Sequence, residues 1–467
     1  MEFVQKLSQF STLLNSLAWG PATLVMLVGI GVYLSLRTGF MQLFRVPSIA
    51  RNTVATLFRR RREPNARRGA ISPFQALTTA LAATAGTGNI VGVATAIASG
   101  GPGAIFWMWV SAFFGMMTKY AEIVLAVKYR RRNEKGEFVG GPMYYIEQGL
   151  HMKWLARIFS VFGVCACFGI GNMTQVNSIA GAMEDAFGVR PIVTGLVVAA
   201  LTTMVLLGGI TRIARVTEKF VPVMAVLYSA AAFAVVVMNW RALPEAVGLI
   251  FQSAFTPTAA AGGFLGSALA NTIQKGVARG VFSNEAGLGS APIAHAAADT
   301  DSAVRQGMWG IFEVFVDTIV MCTCTALVLL TTGAWRTGAD GAALTIAAFS
   351  MSFHEAAGGF LAFCIFFFAF STLVSWGFYG EKCLEYLMGT TRWHMAFRAV
   401  FVAVILLGAV TSLEIVWQVA DTLNGFMALP NLVALIFLSG SVVHETKAFF
   451  AGALPRAKRR PHLRKRS

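Results

Sequence analysis

The chain has 467 residues, 56% hydrophobic and only 13% charged, with a mean hydropathy of +0.64. Soluble proteins carry about 25% charged residues, so a soluble enzyme or binding module is excluded and one polytopic membrane domain is expected. The net charge of +16 raises nucleic acid as a partner, but the basic residues fall in loops on one side of the expected spans, where they meet lipid headgroups instead.

Residues 1–17 place Phe3, Leu7, Phe10, Leu14 and Leu17 at helical spacing with polar residues between them. This reads as an interfacial amphipathic helix, and no cleavable signal peptide is read there. A single transmembrane domain is expected over 18–440. Apolar stretches of about 20 residues give eleven spans, near 18–36, 71–98, 103–127, 154–181, 191–209, 216–238, 263–298, 306–331, 358–380, 394–412 and 415–440. Residues 441–467 form a basic tail. Assigning alternate loops to the two sides puts 30 Lys and Arg on one side, including Arg59 to Arg62, and four on the other. By the positive-inside rule the N-terminus lies outside and the C-terminus in the cytoplasm. The six cysteines lie in or at the ends of apolar segments. Their two CxC pairs point apart on a helix, so neither a disulfide framework nor a metal site is expected.

With the first span set aside, the other ten divide into two fives, 71–238 and 263–440. Each half begins with a glycine-interrupted span, and the two enter the membrane from opposite sides. Interrupted helices at matching positions of inverted halves point to a transporter's binding site; the alternative is two glycine-rich packing helices. The first interruption is Gly86-Thr87-Gly88-Asn89, within Ala82 to Ala94, and the second runs from Phe282 to Gly289. Glycine costs about 1 kcal/mol against alanine inside a helix. At such a break one half-helix ends in free carbonyls and the next begins with free amides. Free amides suit a carboxylate, and free carbonyls suit Na⁺ or an ammonium. Thr84, Asn89 and Ser283 add neutral oxygens for a cation, although Asn89 also serves as helix-packing glue. Glu285 pairs with Lys275, Arg279 or a half-helix N-terminus, or else contacts substrate or cation.

Two further spans carry polar groups. Phe168, Asn172, Gln175 and Asn177 read as a cavity wall, with Asn172 and Gln175 on a face that excludes Asn177. Ser371, Thr372, Ser375 and Trp376 lie within two turns, their hydroxyls either back-bonded to the preceding turn or offered to Na⁺. Lys119 and Glu122 are expected to neutralise each other at i, i+3. Glu313 and Asp317 are read as a structural pair beside water, with a coupling site as the alternative.

Gly100 to Met116 (GGPGAIFWMWVSAFFGM), Ala85 to Ala94 (AGTGNIVGVA) and Phe282 to Ala298 (FSNEAGLGSAPIAHAAA) resemble characteristic stretches of the alanine or glycine:cation symporters, also called the sodium:alanine symporter family. The likeness runs from about residue 15 to 445. It implies an all-α, five-plus-five inverted-repeat fold like that of the neurotransmitter:sodium symporters, with one extra N-terminal span and two broken helices. It also implies uptake of a small neutral amino acid, alanine or glycine, coupled to Na⁺ or H⁺, across a bacterial cytoplasmic membrane. The neurotransmitter family's G-x-G-N and F-[ST]-x-x-x-G-x-G motifs are matched by Gly86 to Asn89 and by Phe282, Ser283, Gly287 and Gly289.

By that resemblance the Thr87 and Gly88 amides bind the substrate carboxylate, beside Phe282 and Ser283. Thr84, Asn89 and Ser283 resemble one Na⁺ site. The Ala82 and Ala85 carbonyls with Ser371 and Thr372 resemble a second. Gln175 and Trp376 line the pocket, and the bulk of Phe168 and Trp376 limits the side chain to hydrogen or methyl. Glu285 departs from the neurotransmitter pattern and leaves the cation role beside Asn89 open. No cofactor and no catalytic residues are expected. The alternatives are a symporter of a larger neutral amino acid such as glutamine, a passive channel or an intramembrane enzyme. His295 and Glu285 sit ten residues apart on one span, too far for a catalytic pair.

Overall fold

The computed structural model describes residues 14–15, 18–58, 70–256, 265–411 and 413–452. Most of the amphipathic helix expected over 1–17, the arginine run 59–62 and the end of the basic tail lie outside the described residues. The described chain is helical apart from one small antiparallel hairpin, β1 (Arg131–Arg132) on β2 (Phe138–Val139).

The first span is α1 (Pro21–Arg37). The second is α2 (Pro73–Thr84), a π turn at Gly88–Gly92 and α3 (Val93–Gly100), bent by 50° at the break. α2 starts at a capping box, in which the Ser72 hydroxyl and the Gln75 side chain each satisfy the other's backbone amide. Next come α4 (Ala104–Lys128), the hairpin, α5 (Pro142–Leu150) and α6 (Lys153–Phe168), which continues through a π turn at Gly169–Met173 into α7 (Thr174–Phe187). α8 (Pro191–Leu206) and α9 (Gly209–Met238) complete the first half.

After α10 (Leu243–Phe255), the second broken span is α11 (Leu265–Asn284) and α12 (Ala291–Ala296). α13 (Ala303–Val314) runs through a π turn at Phe315–Cys322 into α14 (Thr323–Thr331), followed by α15 (Gly341–Phe353). α16 (Ala356–Met388), α17 (His394–Val410) and α18 (Leu413–Phe450) end the second half. α18 runs ten residues past the expected end of the last span, so the start of the expected tail is helix. α10 and α15 were not expected from the sequence, because 13 residues fall short of a membrane crossing.

Among the described residues, seven helices are long and apolar enough to cross a membrane, and the bent pair α2–α3 makes an eighth. α4 forms the centre, packed on α11 and α13, while α16 packs on α2, α6 and α7. Peripheral α9 leaves Val223, Val226 and Phe233 about two-thirds exposed. Such an apolar face is unfavourable in water and suited to lipid.

The two broken spans run antiparallel and are tied at both ends. At one end Ile71 bridges Ala298, with its amide bonded to the Ala297 carbonyl at 3.2 Å and its carbonyl to the Asp299 amide at 2.7 Å. Arg130 donates to the carbonyls of Ala296, Ala298 and Thr300 there. At the other end Asn271 donates to the Ser99 carbonyl and Thr272 to the Gly100 carbonyl, each at 2.8 Å.

Candidate substrate and cation site

The first break follows from the residues that spoil the helix. α2 ends at Thr84, Ala85 turns out of the helical region, and the Gly86 amide closes a tight turn on the Thr84 carbonyl at 2.8 Å. A β-carbon on Gly86 would lie 2.5 Å from the Thr372 hydroxyl, and one on Gly88 would lie 3.1 Å from Cα of Ser283. The two breaks therefore approach closely at Gly88 and Ser283, where a side chain on Gly88 would push its neighbour back by a few tenths of an ångström, while Gly86 packs on Thr372 of α16. The second break unwinds at Glu285, whose φ of 55° is left-handed, and at Gly287 and Gly289, both with φ above 80°.

Two groups of oxygens flank this meeting point. In the first, Thr372 donates to the Ala82 carbonyl at 2.9 Å and Ser371 to the same carbonyl at 3.3 Å, and both hydroxyls also bond back to Phe368. Thr87 reaches Gln175 Oε1 at 3.5 Å. This group joins α2 to α16 and the first break to α7, and its oxygens are all neutral, a donor set that fits Na⁺.

The second group is built on Asp317, in the π turn after α13. Its carboxylate accepts from Asn89 Nδ2 at 2.8 Å, the Ser283 hydroxyl at 2.8 Å and the Thr318 hydroxyl at 2.9 Å. Asn89 Oδ1 accepts from the Gly86 amide at 3.1 Å, and the Asn89 carbonyl accepts from Thr325 at 2.8 Å. Asn89, Ser283 and Asp317 are fully buried. Both breaks thus converge on one buried carboxylate, whose burial costs free energy that these three hydrogen bonds offset in part and that a cation would offset further.

Behind the second break lies an ionic network. Lys119 pairs with Glu313 at 3.2 Å, and Glu313 meets His295 Nε2 at 3.1 Å. His295 Nδ1 lies 2.8 Å from Gln306 Nε2. Glu122 accepts from the Gly289 amide at 3.1 Å and from Asn431 at 2.5 Å. Glu285 accepts from Trp376 Nε1 at 3.0 Å and, through its other oxygen, from the Ser290 hydroxyl.

Several expectations need correcting. Lys119 is bonded to Glu313 rather than to Glu122, because a partner on the neighbouring helix reaches it more directly than the i, i+3 neighbour. Glu313 and Asp317 serve different clusters, since the π turn changes the helical register between them. Glu285 takes Trp376 and Ser290 as partners; Arg279 instead faces Asp421 at 3.9 Å and lies 5.4 Å from the Phe282 ring centroid. The Thr84 hydroxyl bonds back to Ala80 and Leu81, each at 3.3 Å, away from the Asp317 cluster.

Phe168 lies against Phe397 and Phe401 of α17, with ring centroids 5.6 and 5.9 Å away, so its ring is not gathered with the breaks. Asn172 and Asn177 donate to α17 and its end rather than lining a cavity. The structure gathers Ala82, Gly86, Thr87, Gly88, Gln175, Ser283, Ser371 and Thr372, with Asn89 beside them. Ala85 and Phe282 are buried in the adjoining turns. Asp317 is the addition; its signal in the sequence was an acid at the middle of an apolar span, read there with the wrong partner.

The chain matches the model of the sodium:alanine symporter family over residues 4–463. It is 51% identical to the sodium/alanine symporter AgcS of Methanococcus maripaludis over 443 residues, 93% of this chain and 95% of that protein. It is 40% identical to the probable sodium/glutamine symporter GlnT of Bacillus subtilis, with 93% of this chain and 89% of that one covered. A crystal structure of MhsT in complex with L-phenylalanine matches with a TM-score of 0.60 at 14% identity, covering 83% of this chain and 100% of that one. The inverted-repeat fold is shared with that structure, and by sequence the chain belongs to the sodium:alanine symporter family.

Proposed function

We propose that the chain couples Na⁺ influx to uptake of alanine or glycine, with the N-terminus outside and the C-terminus in the cytoplasm of a bacterial cell. The observation that carries this reading is the meeting of the two breaks at Gly88 and Ser283, beside the oxygens of Ala82, Ser371 and Thr372. The substrate carboxylate is received by the amides of Thr87 and Gly88 at the start of the second half-helix, where the dipole favours negative charge. Na⁺ is held between the Ala82 carbonyl and the two hydroxyls of α16, with the Ala85 carbonyl at the same turn. This ion fixes α2 against α16 and favours the outward-open state. Substrate then closes the outer path, and the site opens to the cytoplasm. The ion drives uptake only through its different affinity for those states. Asn89, Ser283 and Asp317 form the second candidate cation site, where H⁺ on Asp317 is the alternative to Na⁺.

Trp376, fully buried one turn beyond Thr372, limits the pocket to a small side chain. Glutamine is the alternative substrate, on the strength of the GlnT relative. Uptake of labelled alanine and glycine into proteoliposomes, with and without an imposed Na⁺ gradient and with glutamine as competitor, tests the reading. Equal uptake with and without the gradient refutes coupling, and stronger competition by glutamine than by alanine refutes the substrate.

A further inference from the structure

We infer that Glu285 is a positioning residue that sets the size limit of the amino-acid pocket by holding the indole of Trp376. The inference rests on the symport reading above and concerns a buried acid to which that reading gives no task.

Glu285 is the first residue after α11 and stands in a left-handed conformation, φ 55°, which residues other than glycine, asparagine and aspartate seldom adopt. Its surroundings fix that conformation. Its amide donates to the Val281 carbonyl at 2.8 Å, and its carbonyl accepts from the Leu288 amide at 3.2 Å. One carboxylate oxygen accepts from Ser290, within the same unwound segment, and the other from Trp376 Nε1 at 3.0 Å. Lys119 on α4, paired with Glu313, is the buried lysine of the network behind this break. The unwound turn therefore aims one carboxylate oxygen across to α16.

Trp376 is defined by what touches it. Its side chain starts against Gly171, where a β-carbon would lie 2.3 Å from Cβ of Trp376. The ring meets Tyr379 edge-on at 5.7 Å. An indole has a single polar atom, the Nε1 donor, and here that donor is given to Glu285. Gly171 and Tyr379 supply shape without direction; the hydrogen bond fixes the rotation of the ring. Trp376 follows Thr372 by one helical turn on the face that meets the first break. A small rotation of the indole thus changes the room left for a substrate side chain. A hydrogen bond from α16 to an acceptor on the second broken span makes pocket width depend on the state of that break.

The bond is deleted from each side. In proteoliposomes, Glu285→Leu removes the acceptor, Trp376→Phe removes the donor, and Glu285→Gln keeps an acceptor oxygen at similar reach. Initial rates are measured for alanine and valine at saturating Na⁺. Glu285→Leu is expected to narrow the alanine-to-valine ratio of kcat/KM about tenfold, chiefly through KM, and Glu285→Gln to restore most of the preference. Trp376→Phe removes ring bulk as well as the donor, so it is expected to narrow the ratio at least as far as Glu285→Leu, and adding Glu285→Leu to it is expected to change the ratio no further, because the bonding partner is already gone.

A Glu285→Leu variant with reduced kcat but an unchanged ratio overturns the inference and makes Glu285 a counter-charge for Lys119. Additive effects in the double variant also overturn it. Should Glu285→Leu not yield a monodisperse protein, Glu285→Met takes its place: an unchanged ratio refutes the assignment, and a narrowed one that Glu285→Gln restores supports it. Wild-type protein without Na⁺-driven alanine uptake sinks the symport reading itself; normal wild-type uptake with an unaltered variant ratio sinks only this inference.

Discussion

Thr372 offers the sharpest test of how the ion is held. Its hydroxyl donates to the Ala82 carbonyl at 2.9 Å and to Phe368 at 3.1 Å. Thr372→Ala deletes one oxygen from the set and leaves Ser371, at 3.3 Å, as the remaining hydroxyl on that carbonyl. A single neutral hydrogen bond or ligand oxygen is worth about 0.5–1.5 kcal/mol net. That corresponds to roughly a two- to twelvefold rise in the Na⁺ concentration for half-maximal uptake. The assay is alanine uptake into proteoliposomes over a series of external Na⁺ concentrations at fixed potential and saturating alanine. Thr372→Ser restores the oxygen and is expected to stay within about twofold of wild type. Thr372→Val keeps the shape without the oxygen and should behave like alanine. A Na⁺ dependence unaltered in both the alanine and valine variants refutes the assignment of this hydroxyl to the ion.

Asp317→Asn preserves the size of the side chain but removes the charge on which Asn89 and Ser283 converge. It should weaken cation dependence at least severalfold while the protein stays folded, and an unchanged dependence makes the carboxylate structural. Lys119→Met strips the cation from Glu313, both groups being fully buried. Breaking such a pair costs about 3–5 kcal/mol, so the thermal midpoint in detergent should fall sharply. Lys119→Met combined with Glu313→Gln should recover part of the loss; equal losses in the single and double variants refute the pairing.

In the hairpin after α4, burial pushes the Glu137 carboxyl up, but Lys382 at 3.1 Å and the Asn133 amide together outweigh it and hold the group below its usual value. A depressed acid stabilises the fold above its unfolded pKa, and that stabilisation is lost as pH falls through the folded value. Glu137→Gln should therefore flatten the decline in thermal midpoint below about pH 5, and an identical acid limb removes the linkage.

The breaks were legible because glycine and asparagine inside an apolar span have few other uses. The division into two halves follows from the span count and the two matching interrupted spans, and their opposite directions follow from Lys and Arg placement. What escaped the sequence depended on register and long-range partners. Phe168, just before the Gly169–Met173 π turn, was given an inward direction that holds only for a regular helix. Glu313 and Asp317 were paired by i, i+4 spacing across another such turn. Lys119 was given its nearest acid along the chain, although Glu313 is 194 positions away and closer in space. Asn89 was read as an oxygen donor from composition, while its amide nitrogen faces Asp317. Spacing along one helix cannot report a partner on another.

The ties at both ends of the broken pair constrain how the molecule can work. With Ile71 laced to Ala297 and Asp299, and Ser99 and Gly100 held by Asn271 and Thr272, the two interrupted spans form a closed frame in which sliding along its own length would break hydrogen bonds at both ends. Movement is diverted to the frame's borders with α7 and α16. There the links are few: two hydroxyls sharing one carbonyl, one threonine reaching a glutamine, and the Trp376 indole on Glu285. In the proposed function ion and amino acid both sit on that border. The bound solutes are then the mortar of a joint whose bricks are already rigid, and which faces part is decided by which solute is present.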